Sequence, residues 1–296
     1  MRSAVRLRLV DAGFALGWRV GRALPRPVVE AAFRCGADLA YWRGGAGVER
    51  LRANLSRVVP AASPGELQAL VRAGVRSYAR YWSELFRLSA IDPDDVRRRT
   101  HVLHEERFLD AVAAGRGVVV AVPHSGNWDA AGMWCVSTLR GMGRDAVFTT
   151  VAERLQPESL FQRFTEYRRT LGFEVIPADG GAYRALLHRL RRGGVVSLVA
   201  DRDLGGSGID VALFGEPARL PAGPARLAAL TGAVLLPAFP HFTPSGWGVR
   251  FAAPISVPDG AAVAKATQDL ADALASLIVH APADWHMMQP VWRSDR

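Results

Sequence analysis

Apolar residues recur along this chain with two periods, and the alternation between them sets the expected fold. Residues 118–122 read Val-Val-Val-Ala-Val, after Gly115 and Gly117 and just before Pro123. A short β-branched run of this kind is a strand buried on both faces, as in a parallel sheet. Comparable runs at 146–151, 173–177, 195–200, 234–239 and 248–252 predict further strands. Between them, helical spacing predicts helices at 105–114, 128–139, 160–171, 182–192, 221–231 and 265–280, with Gly172, Gly193 and Gly232 as stops. Strands alternating with helices specify an α/β fold with a largely parallel central sheet flanked by helices.

The first third of the chain reads differently. Residues 1–25, 28–42, 48–59 and 64–88 carry helical patterns with no strand between them. A helical lobe is therefore expected over residues 1–95, followed by an α/β core over 96–296. In the first helix Val10, Phe14 and Trp18 share one face, while arginines stand at 2, 6, 8, 19 and 22. Gly13, Gly17 and Gly21 form a small-residue line along which another helix or a bilayer could approach closely. Two readings stay open: a packed N-terminal helix, or a basic amphipathic helix lying on a membrane. No uncharged apolar run reaches the roughly 18 residues of a membrane span. Asp11 and Arg19 interrupt any signal-peptide core.

Charge narrows the chemistry. The 296 residues carry a net charge of +9, and Lys265 is the only lysine. A basic surface suits an anionic partner: nucleic acid, a phospholipid headgroup or an acidic cofactor. The single lysine excludes a phosphate-binding loop of the Gly-Lys type, because Ala264 precedes it, and it disfavours Schiff-base chemistry. Cys35 and Cys135 show no metal or redox spacing and read as free thiols. His101-x2-His104 lacks the surrounding ligands of a metal site, so no metal and no cofactor are expected.

The candidate chemistry lies where the first buried strand ends, at His124-Ser125-Gly126-Asn127-Trp128-Asp129. The bare spacing is weak. Seven histidines and 28 acidic residues should give about 0.7 His-x4-acid pairs by chance, and His101/Glu106 is a second one. Two helical residues at this spacing lie about 140° apart and cannot meet. His124 differs in having a buried strand before it and a helix start after it. That places it in a turn at a strand's carboxyl end, where open α/β sheets bind ligands, with Asp129 in the first helical turn. Histidine titrates near neutrality and can take a proton from a hydroxyl, and a carboxylate on its other ring nitrogen fixes the tautomer. No Gly-x-Ser-x-Gly elbow occurs, so the expected arrangement is a base, His124 oriented by Asp129, acting on a substrate hydroxyl. Asp201-Arg202-Asp203 follows another buried strand, and Glu153-Arg154 follows a third. Each reads either as a salt-bridged corner or as a contact to a phosphate, oxyanion or sugar hydroxyl. Gly205-Gly206-Ser207-Gly208 reads as a turn.

These residues carry a family resemblance. His124-Ser125-Gly126-Asn127-Trp128-Asp129 is similar to the His-x4-Asp motif of glycerolipid acyltransferases. It resembles most the branch holding the lipid A lauroyl/myristoyl acyltransferases and the phosphatidylinositol mannoside acyltransferases. Glu153-Arg154-Leu155-Gln156-Pro157, Ala200-Asp201-Arg202-Asp203, Phe214-Gly215-Glu216, Pro221-Ala222-Gly223-Pro224 and the closing Trp285-His286-Met287-Met288-Gln289-Pro290-Val291-Trp292 resemble the mannoside branch. Asp129 stands where the lipid A branch often has glutamate. The resemblance implies transfer of a fatty acyl chain from acyl-CoA, or from acyl carrier protein, to a mannose hydroxyl of a phosphatidylinositol mannoside. It implies a peripheral place on the cytoplasmic face of the inner membrane, reached through the N-terminal amphipathic helix and anionic lipid. His124 and Asp129 are then the catalytic candidates. Glu153, Arg154, Arg168, Asp201, Arg202 and Asp203 are candidates for binding substrate, Arg168 from its place in the helix after Phe164. The alternatives are an acyltransferase for another lysophospholipid or lipid A-like acceptor, and a non-catalytic basic protein that binds membrane or nucleic acid. No motif interleaves aromatics with the arginines as nucleic-acid binding would require.

Overall fold

The computed structural model describes residues 13–14, 17–19, 21, 23–154, 156–203 and 206–295. Its centre is a seven-stranded sheet in the order β1-β9-β8-β2-β5-β3-β4. The strands are β1 (Thr100–Leu103), β2 (Val118–Val122), β3 (Phe148–Ala152), β4 (Phe173–Pro177), β5 (Val195–Val199), β8 (Val234–Phe242) and β9 (Trp247–Phe251). All neighbours pair in parallel except β8 and β9. β6 (Ile209–Leu213) and β7 (Glu216–Leu220) form a separate antiparallel hairpin. Phe214 and Gly215 both have positive φ, the geometry of a two-residue hairpin turn.

β2 lies inside the sheet between β8 and β5, and all five of its residues are buried. Its side chains alternate between two cores, as the period of two requires. Val119 and Ala121 pack with Leu51, Leu235 and Trp285 on one face. Val118, Val120 and Val122 pack with Tyr81, Phe108 and Trp134 on the other.

The predicted helices from residue 28 onward and the six predicted strands are present, with ends shifted by a few residues. The pattern did not predict the short helix Pro93–Arg98, strand β1 or the β6–β7 hairpin. β1 has only four residues and alternates only partly, and the hairpin turn lacks the usual Asn-Gly or Asp-Gly signal. His101 lies in β1 and is exposed.

Helices Arg26–Arg43, Ala46–Val58 and Pro64–Leu88 make up the described part of the N-terminal lobe. Ser63 caps the last of these and forms a reciprocal capping box with Glu66. This helix runs past an edge of both cores, giving Val71 and Val75 to one and Tyr81, Leu85 and Phe86 to the other. Asn54 ties the lobe to the chain's end by donating to the carbonyls of Met287 (2.7 Å) and Gln289 (3.0 Å). The expected first helix falls largely on residues outside the described ones. Its two described aromatic residues turn inward: Phe14 packs on Trp82 and Phe164, and Trp18 on Phe86 and Phe164. A β-carbon at Gly17 would stand 2.9 Å from the Phe86 ring, and one at Gly21 would stand 2.9 Å from Phe86 Cβ. Gly17 and Gly21 of the glycine line thus serve packing against helix Pro64–Leu88, while Gly13 is exposed.

Phe108, wholly buried, stacks on Phe251 at 5.6 Å and meets Trp134 at 5.3 Å. Truncating it leaves a cavity bordered by two aromatic rings. We expect Phe108→Ala to lower the unfolding free energy by about 3–5 kcal/mol in urea titrations.

Candidate active site

Pro123 closes β2 and the chain turns back at Ser125-Gly126. Gly126 has φ +51°, and a β-carbon there would stand 2.7 Å from the backbone of Pro240 and His241, so only glycine fits. Ser125 Oγ donates to the Pro240 carbonyl at 2.8 Å. Asn127 then caps helix Trp128–Gly141, its side-chain oxygen accepting from Ala130 N–H at 3.0 Å. Its amide nitrogen donates to Glu84 Oε2 at 2.8 Å, which also accepts from the Trp247 indole at 2.7 Å. The turn is therefore held between β8 and the long helix of the lobe.

His124 projects from this turn with about a third of its side chain exposed (34%). Its carboxylate partner is Asp201. Nδ1 lies 2.7 Å from Asp201 Oδ1, and the His124 backbone N–H donates to Oδ2 at 2.8 Å. The Trp285 indole N–H donates to the same Oδ2 at 2.9 Å. Burial alone would raise the Asp201 pKa. The neighbouring His124 charge, followed by the hydrogen bonds from the His124 ring, Trp285 and the His124 backbone, outweighs it and holds the carboxyl below its usual value. An ionised carboxylate only accepts, so Nδ1 carries the hydrogen, and in the neutral ring it is Nε2 that presents a lone pair. Trp128 meets the His124 ring edge-on at 6.2 Å.

This corrects the expected pairing of His124 with Asp129. Asp129 is buried in the first turn of its helix, and Oδ1 accepts from Arg168 Nε at 3.0 Å. Its Oδ2 takes a longer bond, 3.3 Å, from the Tyr81 hydroxyl. Burial opposes the Arg168 cation, but Asp129 raises its pKa, so it stays charged. Burial and then the Asp129 charge push the Tyr81 hydroxyl up, keeping it a neutral donor. Asp129 and Arg168 thus brace helix Trp128–Gly141 against helix Glu158–Thr170. The reason Asp201 takes the other role is strand register. β2 and β5 are parallel neighbours, Val122 pairs with Val199, and Ala200 N–H donates to the Val122 carbonyl. The residues that follow the two strands, His124 and Asp201, arrive side by side. A signal existed in the sequence: the apolar run that forms β5 is followed, after Ala200, by an acid, much as the run of β2 is followed, after Pro123, by the histidine.

The other candidates are distributed around this pair. Asp203 is buried and accepts from Gly208 N–H at 3.0 Å. With Tyr183, Ser207, Pro221 and Arg226 it lines a cavity of about 440 Å³. Arg202 has a buried Nε with no hydrogen-bond partner among the described residues. Glu153 and Arg154 are exposed beyond β3, and Arg154 lies 3.6 Å from Glu158. A larger groove, about 710 Å³, runs along the Arg76 and Arg80 face of helix Pro64–Leu88, and His124 does not line it. Among the described residues no cluster of three or more histidine, cysteine or acidic side chains could hold a metal.

The closing segment supplies residues that the pattern alone did not assign. His286 N–H donates to the His124 carbonyl at 2.8 Å, and the Asp284 carbonyl accepts from Gly126 N–H at 2.9 Å. Ser77 Oγ donates to Asp284 Oδ1 (2.6 Å) and lies 2.8 Å from His286 Nε2. Burial, with the His124 charge second, depresses His286 to about 3.

A family model described as "Bacterial lipid A biosynthesis acyltransferase" matches residues 6–294. Two similar proteins are each called "Phosphatidylinositol mannoside acyltransferase". The one from Mycolicibacterium smegmatis is 46% identical over 294 residues, 97% of this chain and 93% of that protein. The one from Mycobacterium tuberculosis is 48% identical over 302 residues, 99% of this chain and 92% of that protein.

Two outcomes follow from the geometry. Asp129→Asn leaves the Arg168 cation buried without its counter-charge, and we expect a stability loss of about 3–5 kcal/mol by chemical denaturation. His286 titrates at 6.5 when unfolded and at about 3 when folded. Between those values only the unfolded chain binds the proton, so the stabilisation is complete above pH 6.5 and declines as pH falls. The slope is about 1.4 kcal/mol per pH unit. Urea unfolding of His286→Gln at pH 6.5 and pH 5 should therefore show a pH sensitivity about 2 kcal/mol smaller than wild type.

Proposed function

The chain belongs to the bacterial lipid A biosynthesis acyltransferase family, and from that premise we propose that it moves a long fatty acyl chain from an acyl-CoA or acyl carrier protein thioester to a mannose hydroxyl of a phosphatidylinositol mannoside, at the cytoplasmic face of the inner membrane. The observation that carries the mechanism is the hydrogen bond that ties His124 Nδ1 to Asp201 and leaves Nε2 without a hydrogen-bond partner among the described residues.

His124 Nε2 takes the proton of the acceptor hydroxyl as its oxygen attacks the thioester carbonyl. Asp201 stabilises the imidazolium that forms. The tetrahedral intermediate collapses with cleavage of the carbon–sulfur bond, and the imidazolium returns the proton to the leaving thiolate. The ester forms on the acceptor with no acyl-enzyme, and the histidine ends as it began. The nearest serine hydroxyl in the turn, Ser125 Oγ, is buried and engaged with the Pro240 carbonyl, which supports a route without a covalent intermediate. Arg202, whose Nε has no hydrogen-bond partner among the described residues, is assigned to an anionic oxygen of the substrate, and the cavity beside Asp203 and Arg226 to a polar substrate end. Asp129 and Arg168 act by positioning the helix that follows His124.

The acceptor reading is supported by the relatives' names and by their coverage of nearly the whole chain. Incubating the purified protein with acyl-CoA and a panel of phosphatidylinositol mannosides, lysophospholipids and lipid A precursors, with products read by mass spectrometry, tests it. An acylated mannoside is the expected product, and exclusive acylation of another acceptor rejects the reading.

Single-turnover assays test the base. We expect His124→Ala and Asp201→Asn to lose about 10²–10⁴-fold in rate while remaining folded. Near wild-type turnover by His124→Ala would reject the mechanism.

A further inference from the structure

Helix Arg26–Arg43 carries an apolar face that no part of the described structure covers. Val28, Ala32, Cys35, Leu39 and Trp42 are all exposed, and Val28, Leu39 and Trp42 are 50%, 51% and 73% accessible. Their spacing alternates between four and three residues. At 100° per residue they fall within an arc of about 80°, along about 21 Å of helix. The opposite face is used inward: Val29 and Ala37 are buried, and Phe33 meets Phe86 at 6.1 Å. The stripe is therefore a second apolar face on a helix that already has a core-facing one.

The surrounding charge selects the occupant. Arg43 is exposed beside the stripe, and Arg72 lies over the Trp42 ring at 5.9 Å. Asp38, at the stripe's edge, is bonded by both Arg72 and Arg76. Glu30, the helix's other acid, lies on the far side and is paired with Arg26 at 2.5 Å. The apolar face is thus bordered by arginine, with its neighbouring carboxylate neutralised. A tryptophan and aliphatic side chains flanked by cations suit the boundary between acyl chains and anionic headgroups. The described N-terminal turns do not offer this face, because Phe14 and Trp18 point into the protein.

We infer that the Val28–Ala32–Cys35–Leu39–Trp42 face of helix Arg26–Arg43 docks on a bilayer containing anionic phospholipid, with Trp42 as its interfacial anchor. The inference rests on the lipid-acceptor reading above and names the surface that brings the enzyme to that lipid.

The test uses the full chain and vesicles of phosphatidylcholine with and without phosphatidylglycerol. Wild type and Trp42→Phe should co-sediment with the anionic vesicles, and Leu39→Glu/Trp42→Glu should bind at least about tenfold less. Vesicles with brominated acyl chains should quench a fraction of the wild-type fluorescence that is missing in Trp42→Phe. Both substituted side chains are solvent-exposed, so the double variant should keep the wild-type melting temperature and its turnover on detergent-dispersed acceptor. Vesicle binding and quenching need no catalysis, so their outcome stands even if the assigned acceptor is wrong. Wild-type vesicle binding by the double variant overturns the proposal, as does equal quenching in Trp42→Phe. Loss of a wild-type dimer in the double variant, with vesicle binding intact, would assign the face to a second copy of the chain and overturns it too.

Discussion

Asp201 is a carboxylate withdrawn from water, and the geometry of the site depends on how that charge is satisfied. It accepts from the His124 ring, from the His124 backbone and from the Trp285 indole. A buried ion with fewer partners would protonate, and a neutral acid could not hold the histidine as a base. Each of the three donors comes from a segment whose own place is fixed by another core element. The charge is tolerable because the fold converges there, and the convergence gives His124 one orientation.

The supports reach far along the chain. Residues 284–286 grip the His124 turn through two backbone bonds while Trp285 holds Asp201. Ser77, on the helix of the N-terminal lobe, fixes Asp284 in turn. Glu84, about two turns further along the same helix, binds both Asn127 and the Trp247 indole. The lobe therefore builds the wall behind the histidine, and it shares both hydrophobic cores with the sheet.

The arginines are employed in distinct ways. Arg168 neutralises a buried acid and locks two helices together. Arg57 spans from helix Ala46–Val58 to Glu216 and Asp295, with its guanidinium over Trp292 at 4.4 Å. Planar guanidinium forks suit such shared contacts better than a lysine ammonium would. The net charge of +9 is thus partly structural, and only the unengaged remainder is available to an anionic partner.

The sequence by itself determined the α/β layering, because strand and helix periods differ and the buried runs are long enough to separate them. It also located His124, because a five-residue apolar run ending in Pro-His leaves few places for the histidine except beyond a strand end. It left β1 and the Phe214–Gly215 hairpin unread, since a four-residue strand and an atypical turn carry little local signal. The partner of His124 was decided only by tertiary structure. Asp129 is five residues away along the chain, Asp201 is 77, and local spacing favours the nearer acid. Strand order and parallel register set Asp201 against the ring, while Arg168 draws Asp129 to the neighbouring helix. Which apolar residues of the N-terminal helices face inward was likewise settled by packing, because periodicity defines a helix's faces without saying which one the core will cover.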